Sequence, residues 1–240
     1  MKLKLSIVLT IAVLTAFVLT AAAFFPTNRA VGAASSGAYE SAQDAKLSAQ
    51  ELTGTYSFDR AHSNIGFRIL HVGLAEVPGS FADYTGTISY DAADVTKSSV
   101  EFAAKMTSVN TGVERRDQHL RAADFFDVDK YPEMTFKSTR IEKKGSNQFV
   151  AHGDFTLKGV TKQIALPFTV NGFLKDQRSN IKIGASAVTT INRRDYGINY
   201  GNTLPNGALA LADNVTVNLQ IEAAKQQPKP AASPAASPSK

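Results

Sequence analysis

From Thr53 to Ala224, apolar residues return at every second position in one short segment after another. Val100, Phe102, Ala104 and Met106 alternate with Ser99, Glu101, Ala103 and Lys105, which predicts a strand over Ser98 to Ser108 with one buried face. Ile65, Phe67 and Ile69 alternate with Asn64, Gly66 and Arg68, and Met134 and Phe136 with Glu133, Thr135 and Lys137. Further strands are predicted at Phe149 to Leu157, Ile164 to Val170 and Ile181 to Ala187, and the cleanest runs through Val215, Val217, Leu219 and Ile221. Tyr56 with Phe58, and Ile88 with Tyr90, bring the total to eight or nine strands. Only Thr111 to Asp124 reads as a helix, and its spacing sets Arg116, His119, Leu120 and Ala123 on one side.

Turn residues at Lys144-Gly145-Ser146-Asn147, at Lys158-Gly159 and from Asp176 to Asn180 join neighbouring segments closely enough for antiparallel pairing. The expected fold is therefore all-β, an antiparallel up-and-down barrel with one short helix near its mouth. Closure removes the exposed edges that so many strands would otherwise present. A two-sheet sandwich is the competing arrangement.

Barrels of this size are just wide enough to be filled by their own side chains or to hold one small ligand. The registers predicted to face inward carry Phe67, Ile69, His71, Phe102, Ala104, Met106, Phe136, Phe155, Phe168 and Ala185. Small residues recur there as well, at Ser138, Ala151, Gly153, Ala187 and Thr189. Aligned small residues leave a void, and a void costs stability unless something fills it. An apolar ligand would fill it; a plug of loop or helix is the alternative. Strands of about ten residues at roughly 3.3 Å each make a tube on the order of 25 Å tall, which suits a chain-like molecule.

Polar candidates cluster near the helix and in one long segment. Arg116 and His119 could meet a phosphate or carboxylate head group at an opening, or could simply seat the helix. Arg194 lies in the irregular stretch INRRDYGINYGNTLPNGALALADN, which reads equally as a flap or as a solvated crossover. His62 and His71 differ in parity along one extended segment and should point to opposite faces. No metal site is expected, nor any catalytic set, since no activated nucleophile, contrasting carboxylate pair or phosphate-binding glycine loop stands out.

The ends of the chain change the picture of where it works. Lys2 and Lys4 precede an apolar run of 21 residues from Leu5 to Phe25. Residues 1 to 25 thus predict a signal peptide or a membrane anchor, and in either case export to the periplasm or outer face of the cell envelope. Residues 26 to 52 read as a flexible linker, 53 to 224 as the domain, and 225 to 240 as a disordered Pro/Ala/Ser-rich tail. There is no cysteine, so packing and backbone hydrogen bonds must hold the barrel unaided. The net charge of +5 resides mostly in the ends, and a near-neutral domain is not that of a nucleic-acid binder.

The stretch TGVERRDQHLRAADFFDVDKYPEMTF, with Asp59, His62, Ser63, Ile65, Phe67 and His71 before it and FTLKGVTKQIALPF after it, resembles the YceI-like proteins of bacterial envelopes. The resemblance covers roughly Thr53 to Ala223. It implies a lipocalin-like barrel that binds a polyisoprenoid lipid without catalysing a reaction, and it admits a homodimer. Cofactors are not expected, although an isoprenoid quinone could be the ligand and give a redox role. A stress-response or protein-interaction module in which the lipid is incidental is the other reading.

Overall fold

A computed structural model describes residues 47–207 and 209–227. The apolar segment 1–25, the linker up to residue 46 and the tail beyond residue 227 lie outside the described residues.

Eleven strands run in chain order: β1 (Gly54–Phe58), β2 (Asn64–His71), β3 (Ala75–Phe81), β4 (Tyr84–Tyr90), β5 (Ser99–Lys105), β6 (Val109–Asn110), β7 (Glu133–Lys143), β8 (Gln148–Leu157), β9 (Val160–Lys175), β10 (Ile181–Asn192) and β11 (Leu211–Lys225). Helix α1 (Ala49–Leu52) precedes them, and α2 (Glu114–Arg121) lies between β6 and β7. The sheet order β1-β4-β5-β7-β8-β9-β10-β11 returns to β1 through pairing of Tyr56 with Lys225 and of Phe58 with Ala223, so eight antiparallel strands close a barrel.

Strand β11 is long enough to do two jobs. Its end at Ala223–Lys225 pairs with β1, while Val215 to Gln220 pair with Ile69 to Asn64 of β2. β2 then carries β3 and the two-residue β6. One end of the barrel is therefore walled by additional strands, and α2 with the turns after it lies over that end, Phe126 resting 6.0 Å from Phe81 between ring centroids. We call this end the mouth and the opposite end the floor.

The sequence pattern does not predict β3, because Pro78 and Gly79 interrupt it. Both have reasons to be there. Gly79 sits opposite Phe67, and a Cβ at that position would fall 2.2 Å from the ring's Cζ, so the absent side chain is the seat of the aromatic. β6 pairs only with Ser80 and Phe81, so Pro78, opposite Arg68 of β2, lies where the other edge of β3 is unpaired, a position that tolerates proline.

Three further differences concern boundaries. The strand expected through Ser108 stops at Lys105, and Met106–Ser108 form a 3-10 turn. The helix is Glu114–Arg121, shorter than Thr111 to Asp124. Finally, Leu47 to Leu52, read as the end of a flexible linker, is ordered. Ser48 and Glu51 form a reciprocal cap, the Ser48 hydroxyl accepting from Glu51 N–H at 3.2 Å and the Glu51 carboxylate from Ser48 N–H at 2.9 Å. Leu47 and Leu52 pack on the floor cluster of Tyr56, Ile181, Ile183 and Ala223, which gives the two leucines an apolar landing site that composition alone does not reveal.

Candidate functional site

The barrel encloses a chamber of about 430 Å³ at the mouth end, within the range of roughly 300–1,000 Å³ typical of small-molecule sites. Its walls are overwhelmingly apolar. Phe67, Ile69, Phe102 and Phe155 line it as their registers predict, and His71 stands at its rim, exposed. From above, Leu120 of α2 and Phe125 and Phe126 just after it close part of the opening.

Polar groups gather only around this opening. Arg116 donates through Nε to Thr111 Oγ1 at 2.7 Å and through Nη2 to the Thr111 carbonyl at 2.8 Å. Thr111 in turn donates its N–H and hydroxyl to Asp117 Oδ1 at 2.8 and 2.5 Å, and Asp117 is buried. The first turn of α2 is thus tied to the segment before it, and Arg116 is held at the chamber rim, its Nη1 making no hydrogen bond among the described residues. His119 reaches Asp124 Oδ2 through Nε2 at 2.6 Å and lies edge-on to Phe125 and Tyr200, at 4.9 and 4.8 Å between centroids. Tyr200 comes from the long segment after β10, so helix and loop meet over the chamber.

That loop is anchored by a residue the sequence reading passes over. Arg193 is 3% exposed and donates to the carbonyls of Ile198 (2.7 Å), Ala212 (2.9 Å) and Leu211 (3.1 Å), with Asp213 Oδ1 at 3.2 Å. Burial pulls its guanidinium below its ordinary value while Asp213 acts in the opposite sense. Arg194, the expected head-group residue, instead lies outside the chamber with its Nε 2.5 Å from the same Asp213 carboxylate. The inward parity of Ile181 to Ile191 carries on to residue 193, and that was the available signal.

Below the first chamber is a second, smaller one of about 80 Å³, lined by Phe136, Phe168 and Ala185 together with Ala151 and Ala187. Ile65, Phe102 and Leu219 face both spaces. Ala104 and Met106, expected to line the tube, are buried but border neither chamber. Ala104 is walled in by its neighbours Tyr84 and Met134 on flanking strands, and Met106 is turned away by the 3-10 turn. Ser138, Gly153 and Thr189 also border neither. Of the small residues expected inside, only Ala151, Ala185 and Ala187 border a chamber, the minor one; β2, β3 and α2 supply much of the lining of the major one.

The expected packing of Ala123 on the rim is not seen either. Ala123 is exposed beyond the shortened helix, its carbonyl accepting from Lys158 Nζ at 3.0 Å, and Phe125 takes its place in the core.

Outside the barrel interior, Asp59, His62 and Glu222 bring their ligand atoms together as a metal site would. Lys182 Nζ lies 2.6 Å from Glu222 and 3.8 Å from Asp59 and already supplies the positive charge between them. Asp59 is held below the ordinary carboxylate range chiefly by its hydrogen bond with His62. His62 and His71 do not meet: one joins this cluster, the other the rim.

A closed antiparallel barrel with apolar chambers, the larger opening beneath a capping helix, is a lipocalin-like architecture. The YceI-like domain matches residues 56–223, and the chain belongs to that family. A UPF0312 protein of Shewanella sp. (strain ANA-3) is 39% identical over 145 residues, covering 60% of this chain and 76% of that protein. One from Pseudomonas syringae pv. syringae is 38% identical over 151 residues, covering 62% and 79%. Among solved structures, the YceI protein of Campylobacter jejuni superposes with a TM-score of 0.57 at 32% identity, covering 70% of this chain and 96% of that one. A polyisoprenoid-binding domain from Saccharophagus degradans shares the fold with a TM-score of 0.55 at 20% identity, covering 71% and 98%.

Proposed function

We propose that this protein binds a long-chain isoprenoid lipid in its barrel, without catalysis, and stores or carries it in the cell envelope. The observation that carries the reading is the 430 Å³ apolar chamber whose polar groups are confined to one rim. Burial of apolar area at about 25 cal/mol per Å² gives affinity for a hydrocarbon tail with no polar contact along it. Arg116 and His119 would then meet the head group, Arg116 through its remaining donor. The polyisoprenoid-binding description of the S. degradans domain supports the choice of lipid, and the apolar N-terminal segment supports export. The described residues offer no activated nucleophile to suggest chemistry on the ligand.

Purification from the native host without detergent, followed by organic extraction and mass spectrometry, tests the reading. A stoichiometric prenyl lipid is expected. A barrel that emerges empty and takes up no prenyl alcohol in vitro would overturn it.

A further inference from the structure

The interior is two rooms rather than one tube, and three side chains stand between them. Ile65, Phe102 and Leu219 are the residues common to both linings. Ile65 and Leu219 are cross-strand partners, each buried. Phe102 comes from β5 and is only partly buried, although it points into the barrel. Its ring is stacked on Phe136 at 5.9 Å with an interplanar angle of 30°, and its partner on β4 is Gly86, where the Phe58 ring fills the space a side chain would take. Of the three dividing residues, Phe102 is the largest and the one that is not fully buried.

The lower room is apolar in effect as well as in lining. Tyr90, Ser98, Ser99 and Ser186 border it but turn no polar atom into it; Ser98 accepts from Asp91 N–H at 3.0 Å, and Ser186 donates to Asn171 at 3.0 Å. At about 80 Å³ it is roughly half the 150 Å³ cavity that accepts a benzene molecule. It is too small for a ligand of its own and sufficient for the last few carbons of one. Any hydroxyl or charge brought there would be desolvated without a partner.

Resting on the lipid-binding reading above, we propose that Phe102 is a chain-length gate: the upper chamber holds the body of the hydrocarbon, and the lower chamber admits its unsubstituted end only when the Phe102 ring turns aside. The preferred ligand therefore has one polar end and one plain apolar end, with a length matched to both rooms. Phe102 and the floor-side residue Ala185 set that length; the rim does not.

Two homologous series, prenyl alcohols and straight-chain n-alkyl alcohols of stepwise increasing length, are to be titrated into the delipidated full-length protein by displacement of a fluorescent apolar probe. Wild type should bind each longer member more tightly until a plateau. Phe102→Ala should move the plateau at least one isoprene unit further, with the first additional unit giving at least a tenfold gain in affinity. Phe102→Leu should fall between, and Ala185→Phe, which fills the lower room, should move the plateau at least one unit shorter. Thermal unfolding confirms that each variant is folded, and either Phe102→Leu or Ala185→Phe can carry the test if Phe102→Ala is not. A plateau at the same length in all folded variants overturns the gate while leaving lipid binding intact. If n-alkyl chains show the shifts and prenyl chains do not bind, the gate stands and the isoprenoid reading falls. If neither series binds, both fall.

Discussion

The two ends of this barrel are closed by different physics. At the floor, Tyr90 and Tyr56 pack against Phe173 at 5.0 and 6.4 Å, Leu52 of α1 and Leu47 just before it pack on the same cluster, and the Tyr56 hydroxyl donates to the Leu52 carbonyl at 2.5 Å. At the mouth, Leu120, Phe125 and Phe126 are joined by side chains bonded to backbone: Arg193 to the Ile198 carbonyl in the loop and to those of Leu211 and Ala212 at the start of β11, Asp117 to the N–H and hydroxyl of Thr111, and Arg121 to the carbonyls of Thr107 and Val109. Apolar packing resists opening over its whole area. Polar anchors can be exchanged for water one by one, so the mouth should be the easier end to open.

The strongest challenge to that contrast is Arg193→Ala. It removes four hydrogen bonds and leaves Asp213 without its buried partner, and should cost about 3 kcal/mol in urea unfolding. Hydrogen exchange should quicken over residues 198–213 and not at the floor. A loss below about 1 kcal/mol would mean that the loop is held by packing after all. Asp117→Ala should cost less, about 2 kcal/mol, since it orphans the Thr111 donors and frees Arg116 to move. Its signature is faster exchange in α2 with β1 and β10 unaffected.

Tyr56→Phe probes the other end and should cost about 1 kcal/mol, the worth of one hydrogen bond, with exchange quickened only in α1. Burial, with a smaller push from Tyr90, raises the Tyr56 phenol from 10.0 to about 12. The neutral form is thus favoured by folding: this stabilisation is complete below pH 10 and is lost as pH rises toward 12, a dependence that the Phe variant should lack. The smallest effect belongs to neither end. Glu142, on the outer face of β7, is lowered to about 2 by hydrogen bonds from Lys144 and His152. Its contribution is present above pH 4.5 and fades as pH falls toward 2, and acid titrations of wild type and Glu142→Gln should differ only slightly in that window.

Much of the fold was legible because alternation reports directly on which face of a strand is buried. Phe67, Phe102, Phe136 and Phe155 all occupy the interior that their parity assigns them. Parity fails where the backbone leaves the strand, as at Met106, and it says nothing about volume, which depends on how far apart the walls stand. That is why Ala104 points inward yet borders no space, and why the larger chamber is lined by bulky residues. β3 escaped because its glycine and proline are explained only by partners distant in sequence, Phe67 and the short β6. Arg193 escaped because a charged residue was not sought on an apolar register, although the alternation of β10 led straight to it.

Both ends of the ordered domain emerge beside the floor, α1 against the Tyr56 cluster and Lys225 paired with Tyr56 itself. Attachment at residue 47 or at Lys225 would consequently leave the chamber opening uncovered, so a surface-bound form of this barrel should still take up the prenyl lipid proposed for it.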